Sequence, residues 1–482
     1  MIRSTLKYAA MVTLFGLPVA GCNLLTSPEA LIYVPDYQAS EGKSDQRKRP
    51  HKIAVFFDGT SNDDHSETNI WNMFTRVRDT GQVTTFYIEG VGAKGKPIGM
   101  AVAWGIDMRV RAAYAFLLQH YRDGDEIYLF GFSRGAYSAR ILASMLYHAG
   151  LPTAPVAANA QVSSEEMSEL IYNTFKCSTW SSYKTCAAIS SVQRANDIRA
   201  SLHKKKLTPM LPVEVRFMGL WDTVEALGWP DYEENVDVPN PRYGDQLCNV
   251  QRVAHALALD DNRARIFTPI LLTRRHLLAD CGIGPKIDPQ GNLWRGLINA
   301  KVEEVYFAGA HADIGGGYED ASGKLSGVSL NWMLDRASKE GLPVGISSSG
   351  TPLRVKQQHM SCTHDSESEW PLNFIYKRQY RDIDNYADSS ESSSPMVRFH
   401  ACLIEHIEAR PRGSAEYAGS DPLAQDVVNA AAPRTRFNAC FSQDKGKLTW
   451  APGDNCLIEV VDSCSAADEP LVPCGLPEKS IQ

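Results

Sequence analysis

The sequence has no basic run long enough to read as a nucleic-acid surface. The cluster Gln46-Arg47-Lys48-Arg49 is short and sits in a polar stretch, where a solvated tether is the simpler reading. The net charge is mildly acidic, −7, so nucleic acid is not expected as a partner. Beyond the N-terminal segment, no stretch approaches the about 20 apolar residues needed to span a bilayer. No CxxC pair occurs and the histidines do not cluster with the cysteines, which argues against a structural zinc site; no metal is expected. Internal repeats are absent. No lysine follows Gly315-Gly316-Gly317, so this is no Walker phosphate loop; it reads as a mobile turn.

What is present begins with an address. Arg3 and Lys7 give a basic start, an apolar stretch follows, and Val19-Ala20-Gly21-Cys22 ends it. That order is a secretory signal, and its ending is similar to a bacterial lipobox. Residues 1–21 are then a lipoprotein signal peptide, and Cys22 is the lipidation site and the anchor to the membrane. Asn23 favours the outer membrane, facing the periplasm, by resemblance to enteric bacteria. Removing Cys22 from eleven cysteines leaves ten, an even number that suits disulfides in an exported chain. Their pairing is not readable from sequence.

Residues 22–50 are polar and aperiodic and read as a tether. From Lys52 the pattern changes. Apolar runs over 53–57, 84–88, 126–132, 213–220 and 302–308 have the length of buried strands, with helical spacing between them. Buried strands alternating with helices predict an α/β fold, a mostly parallel sheet covered on both faces. Residues 51–345 form the expected catalytic domain. After 345 the periodicity fades and Ser, Asp, Pro and Cys increase, so 346–482 reads as a loop-rich, cysteine-rich C-terminal extension.

Gly131-Phe132-Ser133-Arg134-Gly135 follows the third strand and precedes a helical pattern. This strand–turn–helix setting turns a common G-x-S-x-G match into a nucleophile elbow and points to the α/β-hydrolase fold. A nucleophilic serine needs a base, and the base an orienting acid, in the chain order Ser, Asp or Glu, His. Asp222 and His311 each follow an apolar strand, where catalytic groups of open α/β sheets gather. Asp313 is a competing acid, and His255, His400 and His406 are competing bases. Asp260 and Asp261 read as surface ion pairs. Oxyanion donors are expected from Arg134 and from Gly59 or Thr60 after the first strand, with Asp58 fixing that loop. Residues 150–210 are the candidate lid.

The segments Phe56-Phe57-Asp58-Gly59-Thr60-Ser61-Asn62, Gly131 to Ala136, Trp221-Asp222-Thr223-Val224 and His311-Ala312-Asp313-Ile314-Gly315-Gly316-Gly317-Tyr318, in this order, resemble one family. It is that of the type VI secretion phospholipase effectors of the first Tle class, formerly a domain of unknown function. The resemblance implies an α/β-hydrolase with a Ser-Asp-His triad, Ser133, Asp222 and His311, acting on phospholipid acyl esters without a cofactor. Ser61 stands where the family often has tryptophan, and Glu225 where it often has glycine. Those effectors usually lack a lipoprotein signal, so a resident envelope enzyme fits better than an injected toxin. An esterase for a non-lipid ester and a non-catalytic binding lipoprotein are the rival readings.

The lipobox gives the first test. Cys22→Ser should abolish diacylation, read as loss of labelled palmitate from the N-terminus of the protein expressed in bacteria. Continued incorporation there would exclude the anchor.

Overall fold

Each apolar run expected to form a strand does so, and alternate residues face opposite helical layers, as the two-residue period of a strand requires. The computed structural model describes residues 37–40, 50–60, 65–90, 104–151, 163–178, 181–205, 213–225, 240–261, 267–283, 287–318, 325–346, 352–361, 383–388, 392–409, 439–444 and 447–464, with Asn62, Arg263, Thr363, His364 and Arg381. The expected signal peptide and lipobox and most of the expected tether lie outside them. The first elements are β1 (Tyr37–Ser40), β2 (Lys52–Phe57), α1 (Asn69–Asp79), β3 (Val83–Ile88), α2 (Trp104–His120) and β4 (Glu126–Phe132). Next come α3 (Arg134–Ala149), α4 (Ser164–Phe175), α5 (Tyr183–Ala187), α6 (Ser191–Lys204), β5 (Val215–Trp221), β6 (Val250–Ala258), α7 (Asn292–Lys301) and β7 (Val302–Phe307). The last are α8 (His311–Gly315), α9 (Leu325–Lys339), α10 (Ile383–Asp388), β8 (Val397–His400), α11 (Ala401–Ala409), β9 (Phe441–Asp444), β10 (Lys447–Trp450) and β11 (Ile458–Val461).

Nine strands form one sheet in the order β1-β3-β2-β4-β5-β6-β7-β8-β11, while β9 and β10 make a separate hairpin. All neighbours are parallel except β1, which runs antiparallel to β3. Ile53, Val55 and Phe57 of β2 join the core shared with α2, α3, α4 and α6. Ala54 and Phe56 join the opposite core with α1 and α9. The chain runs from β2 outward to β3, then returns past β2 to β4. The loops leaving β2 and β4 therefore diverge, and a crevice opens at the carboxyl edge between them, the place where ligands bind in open α/β sheets.

Three expectations change. Part of the tether, β1, is an edge strand; its polar residues carry no strand signal because pairing to β3, not burial of apolar side chains, defines it. The extension is integrated with the sheet: β8 and β11 continue it past β7, so no break in the sheet coincides with residue 345. In the candidate lid, α4 and α6 bury Met167, Ile171, Phe175, Ile198 and Leu202 in the same core as α2 and α3. The described part of that segment is a packed layer, further tied by the Cys177–Cys186 disulfide.

Disulfides are present as expected, joining also Cys248 to Cys281, Cys402 to Cys464 and Cys440 to Cys456; Cys362 and Cys474 lie outside the described residues. The Cys402–Cys464 bond spans 62 residues and ties the end of β11 to α11. Closing a loop of that size limits the unfolded chain by about 4 kcal/mol. Replacing both cysteines with alanine should lower the unfolding free energy by about that amount in urea titration, with the parent protein kept oxidised for comparison.

Candidate active site

The elbow follows from crowding at the β4–α3 junction. A side chain at Gly131 would meet Ala136 Cα at 2.5 Å, and one at Gly135 would meet Phe57 O at 2.3 Å. Only glycine leaves room for so tight a reversal. Between them Ser133 adopts φ 58° and ψ −126°, a region that costs a non-glycine residue about 1–3 kcal/mol. Its N–H is anchored to Trp221 O at 2.9 Å, at the end of the adjacent strand β5. The hydroxyl therefore sits at the head of α3, at the carboxyl edge of the sheet.

Asp222 follows β5 with φ 42° and is fully buried. Its carboxylate accepts four hydrogen bonds. Oδ1 takes Ala258 N at 3.0 Å and Arg381 Nη1 at 2.6 Å; Oδ2 takes Arg381 Nη2 at 2.8 Å and His311 Nδ1 at 2.5 Å. Burial alone would raise the pKa of this carboxyl, but the Arg381 charge and the His311 contact outweigh it and hold the group well below the usual carboxylate range. An ionised carboxylate only accepts, so His311 carries its proton on Nδ1. Nε2 is then left with its lone pair, buried, with no hydrogen-bond partner among the described residues. The imidazole packs against Phe132, the residue before Ser133, at 4.7 Å, and against Phe267 at 5.0 Å between ring centres. Burial lowers its pKa, only partly offset by Asp222, which favours the neutral ring. Among the described residues no hydrogen bond joins Ser133 to His311; such contacts tighten when substrate is bound.

The neighbouring candidates fall elsewhere. Asp313 accepts from Ala310 N, His364 N and His364 Nδ1, so it caps α8 and does not orient His311. His255 Nδ1 lies 2.8 Å from Glu304, and its Nε2 accepts from Thr223 N at 3.1 Å; it braces the residue after Asp222. His400 stacks on Phe307 and His406 bonds His359 O. Asp260 and Asp261 are buried rather than on the surface. Asp261 pairs with Arg263 at 2.7 Å and accepts from His311 N at 3.2 Å, while Asp260 accepts from Gly309 N at 2.8 Å. Gly315 and Gly316 are buried, and Ile314 O accepts from Asn69 and Ser329, so the expected mobile turn is pinned there.

Asp58 does fix its loop, accepting from Gly59 N at 2.7 Å, Thr68 Oγ1 at 2.6 Å and Tyr87 OH at 2.8 Å. That bond occupies the Gly59 N–H, which removes Gly59 from the expected oxyanion donors. Among the described residues, the N–H groups of Thr60 and of Arg134, the first residue of α3, have no intramolecular acceptor of this kind. A cavity lined by Leu257, Tyr306, Tyr386 and Met396 includes none of these site residues.

Residues 51–336 match the family described as T6SS phospholipase effector Tle1-like, catalytic domain. The chain belongs to this family. An uncharacterised protein of Saccharomyces cerevisiae is 26% identical over 264 residues, which are 49% of this chain and 34% of that protein. Among solved structures, the fold is similar to an uncharacterised Pseudomonas aeruginosa protein at 18% identity and TM-score 0.33, over 63% of this chain and 47% of the other. A Tle1 effector bound to the VgrG spike of the type VI secretion system matches at 18% identity and TM-score 0.27, over 56% and 51%. An esterase of Thermogutta terrifontis with propionate bound matches at 14% and 0.31, over 64% and 91%. The chain thus spans about a third of the yeast relative and half of the first two structures.

Within this family member, Arg381 is the site residue that sequence reasoning missed. It lies in the segment read as an extension, with no motif around it, and no local signal could have found it. Arg381→Met leaves a buried carboxylate without its cation, which should cost about 3–5 kcal/mol of stability at neutral pH. Because Asp222 titrates below its unfolded value, the stability it adds is present above about pH 4 and fades as pH falls. The difference between parent and variant should therefore narrow in acid. His311 should titrate at higher pH in the variant, since Asp222 then has no competing cation. Denaturant titration and imidazole NMR across pH check both; an unmoved His311 would show that Arg381 does not bear on the pair.

Proposed function

We propose that the protein is a serine-dependent carboxylic-ester hydrolase acting on lipid acyl esters. Ser133 is the nucleophile, His311 the general base and Asp222 the acid that orients it. The observation that carries this reading is the state of His311: its Nδ1–H is committed to a saturated, ionised Asp222, and its buried Nε2 is left without a partner. That is the condition a general base needs beside a serine.

In the reaction, Nε2 takes the Ser133 hydroxyl proton as Oγ attacks the acyl carbon. Negative charge collects on the carbonyl oxygen, where the N–H groups of Arg134 and Thr60 and the positive end of α3 meet it. The imidazolium then gives its proton to the departing alcohol, leaving an acyl-enzyme. Water, activated by the same Nε2, releases the acid and restores Ser133. No cofactor enters these steps. Family membership supports a lipid substrate, and a lipid on Cys22 would hold the enzyme at the membrane that contains it, in the bacterial envelope.

Ser133→Ala removes the attacking oxygen while leaving the glycine-flanked turn its room. Turnover of a short-chain ester should fall by about a millionfold, as for nucleophile loss in subtilisin, and labelling by a fluorophosphonate should vanish. Alanine keeps the Cβ and with it the strained φ, so stability should change little. Ester turnover near the parent rate in the purified variant would remove the nucleophile from this reading.

A further inference from the structure

Arg134 is 7% exposed, and among the described residues its side chain makes one hydrogen bond, Nε donating to Thr60 Oγ1. Among the described residues no carboxylate pairs with it, and its four Nη–H donors have no protein acceptor. Six other arginines among the described residues are buried; Arg109 donates to the carbonyls of Glu89 and Gly105, and Arg274 to that of Tyr386. Arg140 pairs with Asp245, Arg263 with Asp261 and Arg381 with Asp222, and Arg194 donates to three backbone carbonyls. Burial and the neighbouring Arg109 pull the Arg134 pKa down to about 10, whereas Arg381 is held above its ordinary value by Asp222 despite its burial. A buried cation without an anion is costly. This one stands at the head of the 16-residue α3, one residue from Ser133, and bridges to the loop after β2. The loops after β2 and β4 that it joins are the two at which the sheet's connections diverge.

We propose that the Arg134 guanidinium receives the phosphodiester of a phospholipid substrate, which makes Arg134 a specificity-determining residue; this rests on the ester-hydrolase reading above. A phosphodiester offers two oxygens on one phosphorus, which match the fork of a guanidinium. In a glycerophospholipid that phosphate is only a few bonds from an acyl ester. The acyl carbon can therefore meet Ser133 while the phosphate meets the side chain of the next residue. The α3 N-terminus adds its positive end to the same anion.

The test compares Arg134→Gln and Arg134→Lys with the parent on two esters of the same acyl chains, dihexanoylphosphatidylcholine and dihexanoylglycerol. The measured quantity is the ratio of kcat/KM for phospholipid to that for the neutral ester. Loss of a charge-assisted contact should lower this ratio by about 10- to 100-fold in the Gln variant, and by less in the Lys variant. The Lys variant also serves should the Gln variant fail to fold. The melting temperature of the Gln variant should not fall, because an unpaired buried charge has gone. Inorganic phosphate should inhibit neutral-ester hydrolysis by the parent and not by the Gln variant.

Equal losses on both esters would mean that Arg134 only supports the Thr60 loop, and would overturn the proposal. Phosphate inhibition with an unchanged ratio would assign the site to free phosphate, and would also overturn it. A parent that hydrolyses both esters with a ratio no higher than the variants' removes this proposal alone. A parent that hydrolyses neither and resists fluorophosphonate removes the hydrolase reading, and this one with it.

Discussion

The carboxylate of Asp222 is the constraint on which the site depends. It is fully buried, sits in backbone that few non-glycine residues adopt, and has each oxygen engaged twice. Those four bonds reach the end of β6 through Ala258, the loop after β7 through His311 and the C-terminal third of the chain through Arg381. Removing any partner would leave a buried charge partly unmet, which proteins tolerate poorly. The three segments are thus held to one geometry by one group. The proposed base inherits its orientation and its tautomer from that group.

The same device recurs around the crevice. Asp58 holds Gly59 and Thr68, Asp260 holds Gly309, Asp261 holds the His311 N–H, and Glu304 holds His255 and the N–H groups of Leu272 and Thr273. Among the described residues, the loops after β2 and β7 are each gripped by a buried acid, Asp58 for the first and Asp260 and Asp261 for the second. Backbone donors fixed in this way reach a reacting carbonyl without first being ordered, which is the condition for electrostatic stabilisation of an oxyanion.

Much of this was legible in the sequence, for physical reasons. Strands buried on both faces must be continuously apolar, so 53–57 and 302–308 stand out. A serine on a sharp turn needs glycines on both sides, so the elbow is visible, and residues that end strands, such as Asp222 and His311, stand next to it in the fold. What was not legible depends on partners far away in the chain. Arg381 meets Asp222 across a sequence separation of 159, and arginine at one polar position carries no period or motif. Asp260 and Asp261 looked exposed because charged residues usually are; Arg263 and the backbone of 309–311 make their burial tolerable. The strands β8 and β11 are four residues long, below the length at which an apolar pattern is distinguishable from loop.

Two arginines flank the proposed site and illustrate how a counterion sets a residue's use. Arg381 has Asp222 on both guanidinium arms and the carbonyls of Ala258 and Phe267 besides; all four of its Nη–H donors are engaged within the chain. Its charge also tempers the carboxylate, so Asp222 orients the imidazole without driving its pKa far upward, and His311 remains neutral and able to accept a proton near neutral pH. Among the described residues, Arg134 has one hydroxyl and no acid. In a site where the other buried ions have been given partners, a cation left without one has the electrostatic form of a binding site, because an arriving anion would lower the cost of burying it. The acid at the centre of the proposed triad and the open charge beside the proposed nucleophile are thus two outcomes of one rule, that a buried charge must find its opposite either within the chain or in what the chain binds.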